Sequence, residues 1–152
     1  VDVSEILCTA VREIEPHASS RSVSLRVGLP KDPIVHELDR DLLRTVIESV
    51  LAYAVSSAPP GTVVDIMLGY AREPNRSFRL TIADRGPTLA EGFRERLFEG
   101  PETAEELDDG SGRAPSHLAV GLSFCRAAVE AHGGTLTVDV NRPSGSVFSL
   151  AI

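Results

Sequence analysis

Two short runs in this sequence bring together residue types that can do binding chemistry. Asp84-Arg85-Gly86-Pro87-Thr88 follows a stretch of alternating apolar residues. A carboxylate leaving a strand, with glycine two residues on, presents an acceptor in a pocket while the backbone turns closely beneath a ligand. The same five residues also read as an ordinary turn. Val120-Gly121-Leu122-Ser123 lies near the start of an apolar-periodic segment. The N–H groups and macrodipole at a helix N-terminus attract phosphate, and helix-start packing is the plainer reading. A third piece, His132-Gly133-Gly134, is fully accounted for as a helix stop. Between the first two runs, residues 99 to 116 hold Glu99, Glu102, Glu105, Glu106, Asp108 and Asp109, with scattered Gly and Pro and one Leu. A loop of that length inside a compact domain is usually functional or disordered.

The elements that position these residues alternate in type. Val1 to Val3 suits a short strand and Ser4 an N-cap, followed by a helix with Leu7, Val11 and Ile14 on one face beside Ala10 and Ala18. Arg21 to Gly28 alternates Val23, Leu25 and Val27 with polar residues, as a half-buried strand does. Pro30 and Pro33 interrupt the chain before an extended piece, Ile34 to Glu37, and Asp39 caps the next helix. Leu42, Leu43, Val46, Ile47, Val50, Leu51 and Ala54 form its wide apolar stripe, which Pro59-Pro60-Gly61 ends. Val64, Ile66, Leu68 and Tyr70 face one way, as do Phe78, Leu80 and Ile82 after the turn at Glu73 to Arg76, predicting an antiparallel hairpin. A short helix over 89–98, a final helix over 116–131 and strands over 135–140 and 146–152 complete the chain. The predicted class is α+β, a two-layer α/β sandwich: a mixed, mostly antiparallel sheet covered on one face by about three helices.

Composition narrows the function. The 152 residues make one domain, 1–152, with 42% hydrophobic and 24% charged residues. Fifteen basic against twenty-two acidic residues give a net charge of −7, which argues against nucleic acid as partner. No apolar run approaches the ~20 residues of a membrane span, so no membrane contact is expected. Cys8 and Cys125 form no C-x-x-C pair, which suggests neither a disulfide scaffold nor a zinc site and favours a cytoplasmic location. The chain opens on Val1 rather than Met, as a piece of a longer protein does.

Taken in order, the apolar helix, the hairpin ending in Asp84-x-Gly86, Leu97-Phe98-Glu99, the glycine loop, Gly121-Leu122-Ser123, Val129-Glu130-Ala131-His132-Gly133-Gly134-Thr135 and Gly145-Ser146-x-Phe148 resemble the ATP-binding catalytic domain of sensor histidine kinases. That family shares a superfamily, and the Bergerat ATP-binding fold, with DNA gyrase, the Hsp90 chaperones and the mismatch-repair ATPases. The resemblance spans essentially the whole chain, with Asp39-Arg40-Asp41-Leu42-Leu43-Arg44 approaching the asparagine box. It implies that Asp84 accepts from the adenine amino group, that Gly86 lies beneath the adenine, and that Ser146 supports Asp84 through water. It places Gly121 and Leu122 at the phosphate end and makes 99–116 an ATP lid. It also implies ATP or ADP with Mg²⁺ as ligands, a phosphoacceptor dimerisation domain N-terminal to Val1, and a response regulator downstream. The isolated piece is then expected to be monomeric.

The departures fall at the phosphate end. The two asparagines of the family's long helix, the later one holding Mg²⁺, correspond to Ser49 and Tyr53, and the Lys or Arg that often follows becomes Ser56. The last glycine of Asp-x-Gly-x-Gly becomes Thr88, and the second glycine box reads His117-Leu118-Ala119-Val120-Gly121-Leu122, keeping one glycine of three. A phenol is a poor Mg²⁺ ligand, whereas Ser49 can act through water and Glu48, one helical step away, can serve as ligand or base. Glu48 also reads as a simple exposed helix carboxylate. The acidic lid repels a triphosphate unless Arg113 or a metal offsets it, and it also reads as a solvated face. His36-Glu37-Leu38 mimics a phosphoacceptor motif but sits in an extended piece behind Pro33, not on a long helix. The leading expectation is an atypical histidine kinase catalytic domain. A pseudo-ATPase docking or regulatory module is the alternative, and an anti-sigma-factor serine kinase ranks below both.

Overall fold

The computed structural model describes residues 1–72, 74, 76–99 and 116–152, and at Glu95 and residues 116–120 the backbone alone. The expected lid therefore lies, apart from its two end residues, outside the described residues, together with Arg113 and the side chain of His117.

Among the described residues, four helices and five strands follow one another as α1 (Val3–Ser20), β1 (Ser24–Gly28), α2 (Arg40–Ser57), β2 (Val63–Tyr70), β3 (Phe78–Ala83), α3 (Glu91–Arg96), α4 (Ser116–Ala131), β4 (Thr135–Val140) and β5 (Ser146–Ala151). The sheet order is β1-β2-β3-β5-β4. β1 and β2 run parallel because α2 carries the chain back between them, and the other pairings are antiparallel. In register, Ile66, Ile82, Phe148 and Val138 line one face, where the first three are buried under the helices. α2 is the central helix, packed between α1 and α4. Its apolar stripe reaches the core through Leu43, Val46, Ile47, Val50, Leu51, Tyr53, Ala54 and Val55. On the opposite face the register row Met67, Thr81, Ser149 and Thr137 meets solvent. This is the mixed two-layer sandwich that the residue pattern predicts.

Several boundaries differ, each for a local reason. The first residues form no strand: Asp2, not Ser4, caps α1, its Oδ1 accepting from Ser4 N at 2.9 Å and Glu5 N at 3.4 Å. A carboxylate two residues upstream thus satisfies the first-turn donors, while Val3 turns into the core. Asp2 still makes one isolated bridge, to Val35. β1 starts at Ser24 rather than Arg21, because Arg21 closes α1 and Ser22 takes φ 58° in the turn. β1 is an edge strand, so Val27 stays partly exposed, and Tyr70 at the end of β2 is exposed too. The helix expected over 89–98 is shorter, its flanks Leu89, Leu97 and Phe98 being buried as irregular chain. Asp39 caps α2 as expected, accepting from Leu42 N at 3.0 Å. α4 ends at the expected turn, where Gly134 N donates to Val129 O at 3.0 Å.

Candidate functional site

Asp84 leaves β3 where the start of β5, the β4–β5 turn and the end of α2 converge. Though charged, it is only 1% exposed. Oδ1 accepts from Gly86 N at 2.8 Å and from Ser146 N at 3.4 Å. The backbone is fastened as well: Asp84 N donates to Ser146 O at 2.9 Å, and Asn141 Nδ2 donates to Asp84 O at 2.8 Å. Gly145, at φ +112°, comes so near that a Cβ there would overlap Asp84 O. Gly86 presses against the last turn of α2, where a Cβ would meet Ser57 O at 2.5 Å. Only glycine permits these two approaches. Arg21 steadies that turn of α2 from α1, donating to Val55 O at 3.2 Å and Ser56 O at 2.9 Å. A carboxylate withdrawn from water and fixed from three sides is a directional acceptor for a neutral N–H donor.

The second cluster lies between α2 and α4. A Cβ on Gly121 would stand 3.8 Å from Ser49 Oγ, so these two residues face each other. Cys125, one turn further along α4, donates weakly to Val46 O at 3.9 Å. Burial pushes the Cys125 thiol above its ordinary value, and a hydrogen bond with Ser49 offsets this in part. Leu122 belongs to the core. Tyr53 is 5% exposed, with its ring edge-on to Phe148 at 5.5 Å and 74°. Phe148 meets Phe98 in the same manner at 6.3 Å, and the Arg126 guanidinium lies over the Phe98 ring at 5.5 Å.

The structure thus joins Asp84, Gly86 and Ser146 in one corner and Ser49 with Gly121 in another. Thr88 is exposed beyond the Gly86 turn. Glu48 turns toward α1: Arg44 Nε donates to it at 2.8 Å, and the same guanidinium reaches Glu13. Arg44 holds the Glu13 carboxyl below its ordinary range through that hydrogen bond. Three residues touching the site carry no mark of it in the sequence: Arg21, Ser57 and Asn141. The Gly145-Ser146-x-Phe148 pattern is the one available signal for that turn. Mg²⁺ requires hard oxygen ligands. Among the described residues no three His, Cys, Asp or Glu stand together as a metal group, and the phenol at 53 is packed on Phe148. The donor set around Ser49 and Tyr53 does not fit the ion.

Comparison with known proteins covers the same stretch of chain. The model of the histidine kinase-, DNA gyrase B-, and HSP90-like ATPases matches residues 38–152. The adaptive-response sensory kinase SasA of Synechocystis is 29% identical over 149 residues, covering 96% of this chain and 37% of its own length. The chain spans two fifths or less of such curated relatives. Among solved structures, the mycobacterial sensor histidine kinase MprB superposes with a TM-score of 0.78 at 23% identity, over 100% of this chain and 94% of that one. The catalytic domain of histidine kinase ThkA gives 0.82 at 20% identity, over 100% and 92%. With more than two thirds of the chain inside the family model and the sandwich shared throughout, this chain belongs to the family of histidine kinase-, DNA gyrase B- and HSP90-like ATPases.

Proposed function

We propose that this domain binds adenine nucleotide, with the purine amino group on Asp84, and that it is the catalytic domain of an atypical histidine kinase. One observation carries the reading: a buried carboxylate that accepts from Gly86 N and Ser146 N, its own backbone carbonyl held by Asn141, at a corner where the chain approaches α2 too closely for any residue but glycine. Ser146 and Gly86 shape the base end, while Ser49 and Gly121 lie toward the phosphates and Leu122 is core. In the longer protein the γ-phosphoryl passes to a histidine on a separate dimerisation domain and then to a response regulator. Such transfer asks mainly for positioning and charge neutralisation. On this reading the domain works in the cytoplasm and is a monomer when isolated. Among the described residues no helix is long and apolar enough to cross a membrane.

Titration with a fluorescent ATP analogue tests the base assignment. Asp84→Asn should weaken binding by about 1.5–3 kcal/mol, the range for a hydrogen bond to a charged group. It should also narrow the preference for ATP over GTP, because guanine presents an oxo group where adenine has its amino. Unchanged affinity and selectivity reject the assignment. The packing of Tyr53 on Phe148 favours a second reading, a docking or regulatory module without turnover. Absence of any thermal shift with millimolar ATP would select that reading, since ligand binding to the native state raises its stability.

A further inference from the structure

The two ends of the candidate site are unequally equipped. Asp84, Gly86, Asn141 and Ser146 make a fixed acceptor, but α2 offers a polyphosphate little. The Tyr53 ring is enclosed in an edge-to-face stack with Phe148, itself packed on Phe98, and is not presented to a cation. Glu48, the carboxylate beside Ser49, is engaged by Arg44. The Arg21 guanidinium is occupied by the carbonyls of Val55 and Ser56, and Ser56 brings a hydroxyl where a cation would serve. A divalent ion on ATP bridges the β- and γ-phosphates and neutralises their charge. It depends on the protein for at least one hard oxygen ligand. Among the described residues only serine hydroxyls are offered on this stretch of α2.

We propose that this domain holds adenine nucleotide through the base with no divalent metal ligated by its described residues, and therefore binds ADP and ATP alike. The proposal rests on the base lying at Asp84. The charge of the whole chain acts in the same direction. At −7, it opposes the additional negative charge of ATP when no cation accompanies it. ADP should bind at least as tightly as ATP. The ligand class is thus the adenosine phosphates as a group, read by their base and not by the number of their phosphates.

Calorimetric titration of the unmodified domain with ADP and with ATP, each in millimolar Mg²⁺ and again in EDTA, decides the matter. The four dissociation constants should agree within about threefold, since no term from a bridging metal separates them. A loss of about tenfold or more for ATP in EDTA, or an ATP preference of that size over ADP, overturns the proposal. That failure would leave the Asp84→Asn effect intact, so it is distinguishable from failure of the base assignment, in which Asp84→Asn binds as the unmodified domain does; no binding in any of the four titrations overturns both. Tyr53→Asn supplies a gain-of-function arm: with an amide oxygen in place of the ring, ATP should bind more tightly in Mg²⁺ than in EDTA. A melt without ligand checks that the variant folds, and the four titrations of the unmodified protein decide the proposal even if it does not.

Discussion

Asp84 and Asn141 are 57 positions apart in the chain, and their hydrogen bond of 2.8 Å closes the candidate site from behind. The Asn141 amide donates to the carbonyl of Asp84 and not to its carboxylate, so it sets where the acceptor sits without competing for it. Asn141→Ala should weaken adenine nucleotide binding by about 0.5–1.5 kcal/mol, the net worth of one neutral hydrogen bond. Titration with the same fluorescent analogue would show this, and an unchanged affinity would leave Asn141 a mere turn residue. Asp84 is legible in the sequence because a carboxylate with glycine two residues later is a local pattern. Asn141 is not, because its meaning depends on the pairing of β5 between β3 and β4. Glu48 illustrates the opposite case: its position on the helix flank is clear from sequence, but only packing shows that Arg44 and α1 take up that flank.

Among the elements, α1 and α2 are joined near the middle and at one end of their contact. Near the middle Arg44 links Glu48 with Glu13. At the far end Arg21 caps the last carbonyls of α2, beside the Ser57 carbonyl that floors Gly86. The start of α1 offers a clean comparison of two neighbouring caps. Asp2→Ala should cost about 1 kcal/mol, as loss of an N-cap does, whereas Ser4→Ala should stay within about 0.5 kcal/mol. Urea denaturation of both variants measures the difference, and the reverse ranking would return the cap to Ser4. Sequence alone leaves the two close because both residue types cap well. The position of Val3, drawn into the core, decides between them.

At the scale of the whole molecule, the core extends from the sheet through α2 to the α4 face and encloses Cys125. Burial raises the Cys125 thiol above the ordinary value near 9, so the folded state favours its neutral form. That stabilisation is complete below the unfolded value and is lost as pH rises through the folded one, because the unfolded chain ionises first. Urea unfolding between neutral and alkaline pH should show stability falling above the ordinary thiol value, with a shallower fall in Cys125→Ala. Equal slopes would mean that the thiol is not withheld from water. The alternation of β2 and β3, the stripe and Asp39 cap of α2 and the helix stops are written in the sequence, because each depends on neighbours within a few residues. The Asp-x-Gly corner is legible for the same reason. Only the tertiary structure decided that Tyr53 stacks on Phe148, that Glu48 turns to α1 and that Asn141 backs Asp84, because each is a choice among partners brought together by folding from distant parts of the chain.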